Sequence, residues 1–177
     1  MAGFALVAPG NAVIPGPIIG NFTVKDGEII NNGDPVGLDS SGYVVCASKT
    51  QGAIVKCKGF AIMVDDLSGG TLASVTGNVT TFPNSPVSIA ICRHCKITGM
   101  NSTLVPSLAK GLPVYLGPAI VSAGTVSALT CALTTTNGDS IEELGFVMPD
   151  GTTLWLESPT ATGWKYQTAG NSTNIFA

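Results

Sequence analysis

The sequence predicts an all-β chain, a small barrel or a β-sandwich, and three observations carry that expectation. Short runs rich in Val, Ile, Thr and aromatics are separated by clusters of Gly, Pro, Asn and Asp at intervals of about 8 to 12 residues, the spacing of short strands and tight turns. The 22 Gly and 11 Pro break any long helical pattern. A six-residue phrase occurs twice, which predicts that one β-unit has been used two times.

The strand runs, in chain order, are 42–47, 71–75, 87–91 and 152–156, sequences Gly-Tyr-Val-Val-Cys-Ala, Thr-Leu-Ala-Ser-Val, Val-Ser-Ile-Ala-Ile and Thr-Thr-Leu-Trp-Leu. Only 102–110 offers a short helical turn, and Pro106 limits it. The crossover helices that a parallel α/β fold requires are missing from the pattern. The repeated phrase is Gly33-Asp-Pro-Val-Gly-Leu38 and Gly111-Leu-Pro-Val-Tyr-Leu116. Its conserved frame, Gly33, Pro35, Val36 and Leu38 against Gly111, Pro113, Val114 and Leu116, suits a strand entrance. Gly allows a sharp approach, Pro fixes φ where no ladder donor is needed, and Val and Leu fall on one face two residues apart. The first copy later reaches Lys58-Gly-Phe-Ala-Ile62, and the second Leu144-Gly-Phe-Val147.

This divides the chain into an extended arm over 1–22, a β-domain over 23–158 with halves of about 24–100 and 101–158, and a tail over 159–177. The arm has no Lys or Arg before Lys25, and Pro9, Pro15 and Pro17 interrupt it. It therefore lacks both the charged start of a signal peptide and the roughly 20 unbroken apolar residues of a membrane span. Its apolar residues Phe4, Leu6, Val7, Val13, Ile14, Ile18 and Ile19 follow no pattern that buries them in their own domain. The expectation is that they contact a partner protein or a neighbouring subunit. Folding back as an edge strand is the other reading.

Composition narrows the function. Charged residues are 11% of the chain, against about 25% in ordinary soluble domains. A surface of Thr, Ser, Asn and Gly docks on a neighbour without stripping water from many charges. The net charge of −3 and the scattered Lys and Arg leave no basic patch, which argues against nucleic acid as a partner. The odd count of five cysteines, Cys46, Cys57, Cys92, Cys95 and Cys131, reads as free thiols. Four Asn-x-Ser/Thr sequons, starting at Asn21, Asn78, Asn101 and Asn171, are ordinary for so Asn- and Thr-rich a chain.

Candidate chemistry is thin. Cys92-Arg-His-Cys95 holds the single histidine, His94, but zinc wants four ligands and no second Cys-x-x-Cys exists to supply them. Asp65-Asp66 reads as a turn, and adjacent acids such as Glu142-Glu143 point to opposite faces of a strand. A nucleophile would need a placed base, for which His94 is the only histidine available, and there is no Gly-x-Ser-x-Gly elbow or phosphate loop. The expectation is a protein that is not an enzyme and takes no cofactor or metal.

At Gly33-Asp-Pro-Val-Gly-Leu-Asp-Ser-Ser-Gly42, with Gly59-Phe-Ala-Ile62, Val75-Thr-Gly-Asn-Val79 and the second Gly-x-Pro-Val-Tyr-Leu following in order, the chain resembles the phage capsid decoration proteins of small β-barrel type. The resemblance runs from about Val24 to Leu156, some three quarters of the chain. It implies a structural protein of the virion, made in the host cytoplasm, that adds to the outer capsid surface and stiffens the shell. Its partners would be the major capsid protein and itself, as a homotrimer at three-fold positions, with no nucleic acid and no membrane. The Pro-rich start and the tail fall outside the shared pattern. A carbohydrate-binding or adhesive virion module, built on Trp155, Trp164 and Tyr166, is the alternative.

Overall fold

The computed structural model describes residues 5–6, 18–62, 74–98, 110–117, 129–131, 134, 136–150, 154–157 and 167–168. Every regular element among them is a strand. The strands are β1 (Ala5–Leu6), β2 (Ile18–Thr23), β3 (Ile29–Asn31), β4 (Pro35–Leu38), β5 (Val44–Cys46), β6 (Gly59–Ile62), β7 (Ser74–Thr76), β8 (Ser88–Cys92), β9 (His94–Thr98), β10 (Pro113–Leu116), β11 (Leu129–Thr130), β12 (Ser140–Ile141), β13 (Glu143–Val147), β14 (Leu154–Glu157) and β15 (Gln167–Thr168). The four runs expected as strands coincide with β5, β7, β8 and β14. The helical turn considered at 102–110 lies outside the described residues but for Lys110.

The architecture is an open sandwich and not a closed barrel. A five-stranded sheet has the order β2-β8-β6-β4-β5 and a six-stranded sheet the order β1-β9-β14-β13-β10-β11, while β3-β7 and β12-β15 form two-stranded ribbons. All of the pairings within these sheets are antiparallel.

The two large sheets repeat one another. Strands β2, β4, β5, β6 and β8 take the same chain order and the same neighbours as β9, β10, β11, β13 and β14. The register agrees too: Pro35 lies opposite Phe60 and Val36 opposite Gly59, as Pro113 lies opposite Phe146 and Val114 opposite Gly145. The Gly33 N–H donates to the Ala61 carbonyl and the Ala61 N–H to the Asp34 carbonyl, both at 2.9 Å; Gly111 with Val147 and Val147 with Leu112 repeat that exchange at 2.8 Å. Gly33 and Gly111 both have positive φ, 92° and 79°, so the glycine of the repeated phrase is fixed by backbone conformation in both copies.

β8 ends the first copy at Cys92 and β9 opens the second at His94, so Arg93 is the corner where the chain passes between sheets. Of the segment 1–22, Ile18–Thr23 pairs as an edge strand with β8 and Ala5–Leu6 with β9, where an apolar segment beside a sheet edge satisfies its backbone groups; the rest of it up to residue 17 lies outside the described residues.

Alternation along the strands sorts their side chains onto two faces. On the first sheet Val36, Val44, Ala61, Ile89 and Ile91 face one way, into a core closed by Ile30 and Val75 of the β3-β7 ribbon. Phe60 and Cys92 face the other way and pack on Val114, Leu144, Val147, Leu154 and Leu156 of the second sheet. The first sheet is thus buried on both sides. The second copy presents its Val114 face to the Phe60 face of the first, so the copies are stacked front to back. Phe146, the counterpart of Phe60, is left 44% exposed, whereas Phe60 is 0% exposed.

Gly59 and Gly145 have a shared packing reason. A Cβ on Gly59 would lie 2.5 Å from the Cys92 carbonyl oxygen of β8, and one on Gly145 would strike the Trp155 carbonyl of β14. Both strands cross their neighbours too closely for a side chain.

Front-to-back stacking predicts unequal costs for one chemical change. Phe60→Ala should destabilise the chain by about 3–5 kcal/mol, while Phe146→Ala should cost at most about 0.5 kcal/mol. Chemical denaturation of the two variants measures this, and equal losses would contradict the stacking.

Candidate docking surface

The residues singled out in the arm are dispersed. Leu6 sits on β1 opposite Ile97, while Ile18 and Ile19 sit on β2 opposite Cys92 and Ile91. Phe4, Val7, Val13 and Ile14 lie outside the described residues. So do Asp65, Asp66, Trp164 and Tyr166.

The Cys-x-x-Cys segment is the turn of chain between sheets. Cys92 is buried in the shared core, and Cys95 occupies β9 opposite Leu156. His94 stands opposite Glu157 in the same ladder. Among the described residues no group of three or more His, Cys, Asp or Glu is placed to hold a metal ion. No helix among them is long and apolar enough to cross a membrane.

Several of the few acids do structural work. Asp34, fully buried, accepts the Asn31 N–H at 2.7 Å and closes the turn before β4. Asp39 accepts the N–H groups of Ser41 and Tyr43 at 2.9 and 3.0 Å, completing the turn read from Asp39-Ser-Ser-Gly42. Burial acts to raise its pKa, but those two N–H groups and Lys25 hold it below its ordinary value. Glu28 accepts the Cys46 N–H at 2.9 Å and ties the ribbon's start to β5.

A polar clasp joins the two halves. Asp139 accepts the Gln51 N–H at 3.0 Å and the Thr134 hydroxyl at 2.9 Å, and pairs with the Lys49 ammonium at 3.1 Å. The Gln51 N–H, with Lys49 and Thr134 beside it, holds the Asp139 carboxyl below its usual range. The Ser140 N–H donates to the Lys49 carbonyl at 2.8 Å, and the Lys49 N–H to that of Gly117 at 3.2 Å. Glu142, 4% exposed, accepts the Cys57 N–H at 2.9 Å through Oε2. Burial raises the Glu142 pKa, and Cys57, Lys56 and Lys58 only partly oppose that. Burial also pushes the Cys57 thiol up, with the Glu142 charge adding to it, so Cys57 is an inert packing group.

Among the described residues four large apolar side chains are exposed: Leu38, Phe82, Leu112 and Phe146. The face of the second sheet opposite the shared core carries Phe146, with Pro113, Tyr115 and Trp155 partly exposed beside it. Phe146 lies between Pro113 and Trp155 in one cross-strand row. Tyr115 stands opposite Glu143, and burial followed by the Glu143 charge raises its phenol. A second open group is Phe82, 56% exposed in the connection from β7 to β8. Sequence reasoning passed over both. The Gly-Phe pairs at 59–60 and 145–146 look alike, and only the stacking direction tells which Phe is buried.

No family model, curated protein or solved structure matches the chain.

The clasp gives a signed pH dependence. A carboxyl whose pKa is raised by folding contributes stability below its unfolded value, near 4.5, and loses it as pH rises through the folded value. Glu142→Gln should therefore match the parent in acid and become the more stable of the two towards neutral pH. Thermal melts across that range check the sign. A Gln variant that is weaker at neutral pH and recovers on acidification would show that Lys56 and Lys58 favour the charged form.

Proposed function

We propose that this chain is a non-enzymatic structural protein of a phage virion, a decoration or cement protein that binds the outer capsid surface and stabilises the shell. The observation that carries the reading is the double use of one β-unit at the positions where the chain resembles that family. The two phrases share turn glycine, Pro-Val register and hydrogen bonds, so the resemblance rests on a structural unit and not on scattered residues.

The physical character of the surface supports the same reading. A sandwich with few charges and an open aromatic face suits extended docking better than catalysis. The polar groups described above are committed to turns and to the clasp between halves. The partners under this reading are the major capsid protein and further copies of the chain as a homotrimer, since a three-fold site adds avidity from three linked contacts. The carbohydrate-binding alternative draws on one observation, the row of Trp155 and Phe146 on an open face.

Titration of the purified protein onto empty shells that lack it should saturate at a fixed number of copies per shell and raise the temperature at which the shells open. Deleting residues 2–17 keeps β2 and should leave a folded β-domain by circular dichroism while lowering occupancy. Failure of the parent to bind any shell would remove the reading. Undiminished occupancy after the deletion would remove only the role of the arm. Glycan binding lost in Trp155→Ala, without shell binding, would favour the alternative.

A further inference from the structure

Asn-Gly occurs twice in the chain, at Asn32-Gly33 and Asn137-Gly138, and every other Asn is followed by a residue with a side chain. This pair is the one most open to attack of the backbone nitrogen on the Asn amide, because glycine puts no side chain in the way. The fold treats its two copies differently. Asn32 is 5% exposed, and the Gly33 nitrogen is engaged, its N–H donating to the Ala61 carbonyl at 2.9 Å. Asn137 is exposed, and with Gly138 it forms the centre of a turn that the Asp139 N–H closes onto the Thr136 carbonyl at 3.2 Å.

That turn carries the clasp between the halves. Asp139 follows it directly and holds the Gln51 N–H, the Thr134 hydroxyl and the Lys49 ammonium. Gly138 has a positive φ of 88°, and the Gln51 side chain packs against it: a Cβ there would lie 2.4 Å from Gln51 Cδ. The path of the backbone from Thr136 to Asp139 therefore decides where the Asp139 carboxylate stands relative to the first half.

We propose that Asn137 is a site of spontaneous deamidation, and that its isoaspartyl product loosens the clasp between the two halves. The Gly138 nitrogen gives up its proton to solvent base and attacks Asn137 Cγ. The new C–N bond closes a cyclic imide as the Cγ–Nδ2 bond breaks and the amide nitrogen leaves as ammonia. Water then opens the imide. Opening at Cγ leaves Asp at position 137. Opening at the backbone carbonyl leaves isoaspartate, with the main chain running through Cβ and Cγ and longer by one atom. Either product adds a negative charge beside Asp139, but only isoaspartate lengthens the turn and so carries the Asp139 carboxylate away from the Gln51 N–H. The fold thus shields one Asn-Gly pair and leaves the other at the joint. The inference concerns the chain alone, with or without a shell, so its failure leaves the functional reading untouched.

Ageing the full-length protein at mildly alkaline pH, followed by peptide mapping with mass spectrometry, tests the site. Asn137 should convert first, with isoaspartate in excess. Asn32 should stay intact in the folded protein and convert once the chain is held in denaturant. In the isolated isoaspartyl form the Gln51 amide should exchange its hydrogen about tenfold faster than in fresh protein, as for the loss of one net hydrogen bond to a charged group. Asn137→Gln should resist ageing and keep the slow exchange, and Asn137→Asp, which adds the charge without lengthening the chain, should stay close to fresh protein. An Asn137 that survives while other asparagines convert, or that converts no faster than Asn32 in the folded protein, would overturn the site. A Gln51 amide that exchanges as slowly in the isoaspartyl form as in fresh protein, or as fast in Asn137→Asp as in the isoaspartyl form, would overturn the loosening by the longer turn.

Discussion

The contact between the Phe60 face of the first sheet and the Val114 face of the second fixes most of this molecule. It makes the first sheet a middle layer, apolar on both sides. Its strands are accordingly rich in Val, Ile and Ala with little polar alternation, as sheets covered on two faces require. Within each sheet the repeated glycine N–H to carbonyl exchange, Gly33 with Ala61 and Gly111 with Val147, sets the Pro-Val strand against the Gly-Phe strand. Losing that register in the first sheet would displace Phe60, and losing it in the second would displace Val114.

Charge is placed according to this constraint. A chain with so few ionisable groups could have left its acids on the surface, yet Asp34, Asp139 and Glu142 are all buried. Each accepts a backbone N–H, at Asn31, Gln51 and Cys57 respectively, so it serves donors that the irregular connections would otherwise strand. Asp139 and Glu142 span the seam between copies, beside the backbone bonds of Lys49 with Ser140 and Gly117. These directional contacts fix a position that apolar stacking alone would leave free to slide.

Much of this could be read from residues alone, and the reasons for the rest are physical. The repeated Gly-x-Pro-Val-x-Leu phrase located β4 and β10 because a positive-φ glycine and a proline leave a strong local mark. The Gly-Phe pairs located β6 and β13 for a similar reason, since close strand crossings admit only glycine. What local pattern could not supply was the handedness of the stack. Phe60 and Phe146 both follow a glycine in sequence, yet one is fully buried and the other 44% exposed. The seam acids were equally hidden, because Glu142-Glu143 reads as an ordinary polar strand start until Cys57, 85 residues away, is brought to it. The described segments of the arm, at 5–6 and 18–23, pair with sheet edges within the chain, at β9 and β8, which its Pro-broken apolar sequence does not mark.

Duplication followed by front-to-back stacking has a general consequence. Two identical layers stacked in one direction always leave one face of each kind uncovered, and a protein must cap or use both. Here the first copy's free Val face received an inserted ribbon, whose strand β7 lies in the long connection between β6 and β8. The second copy's corresponding connection, from β13 to β14, spans only 148–153, too short for a strand and a return. Its free Phe face lies on the other side of its sheet, and that face kept its aromatic character where a solvated surface would favour polar residues. A capping ribbon at one end and a row of partly exposed Pro113, Phe146 and Trp155 at the other make the two ends of the stack chemically different, although both halves repeat one unit.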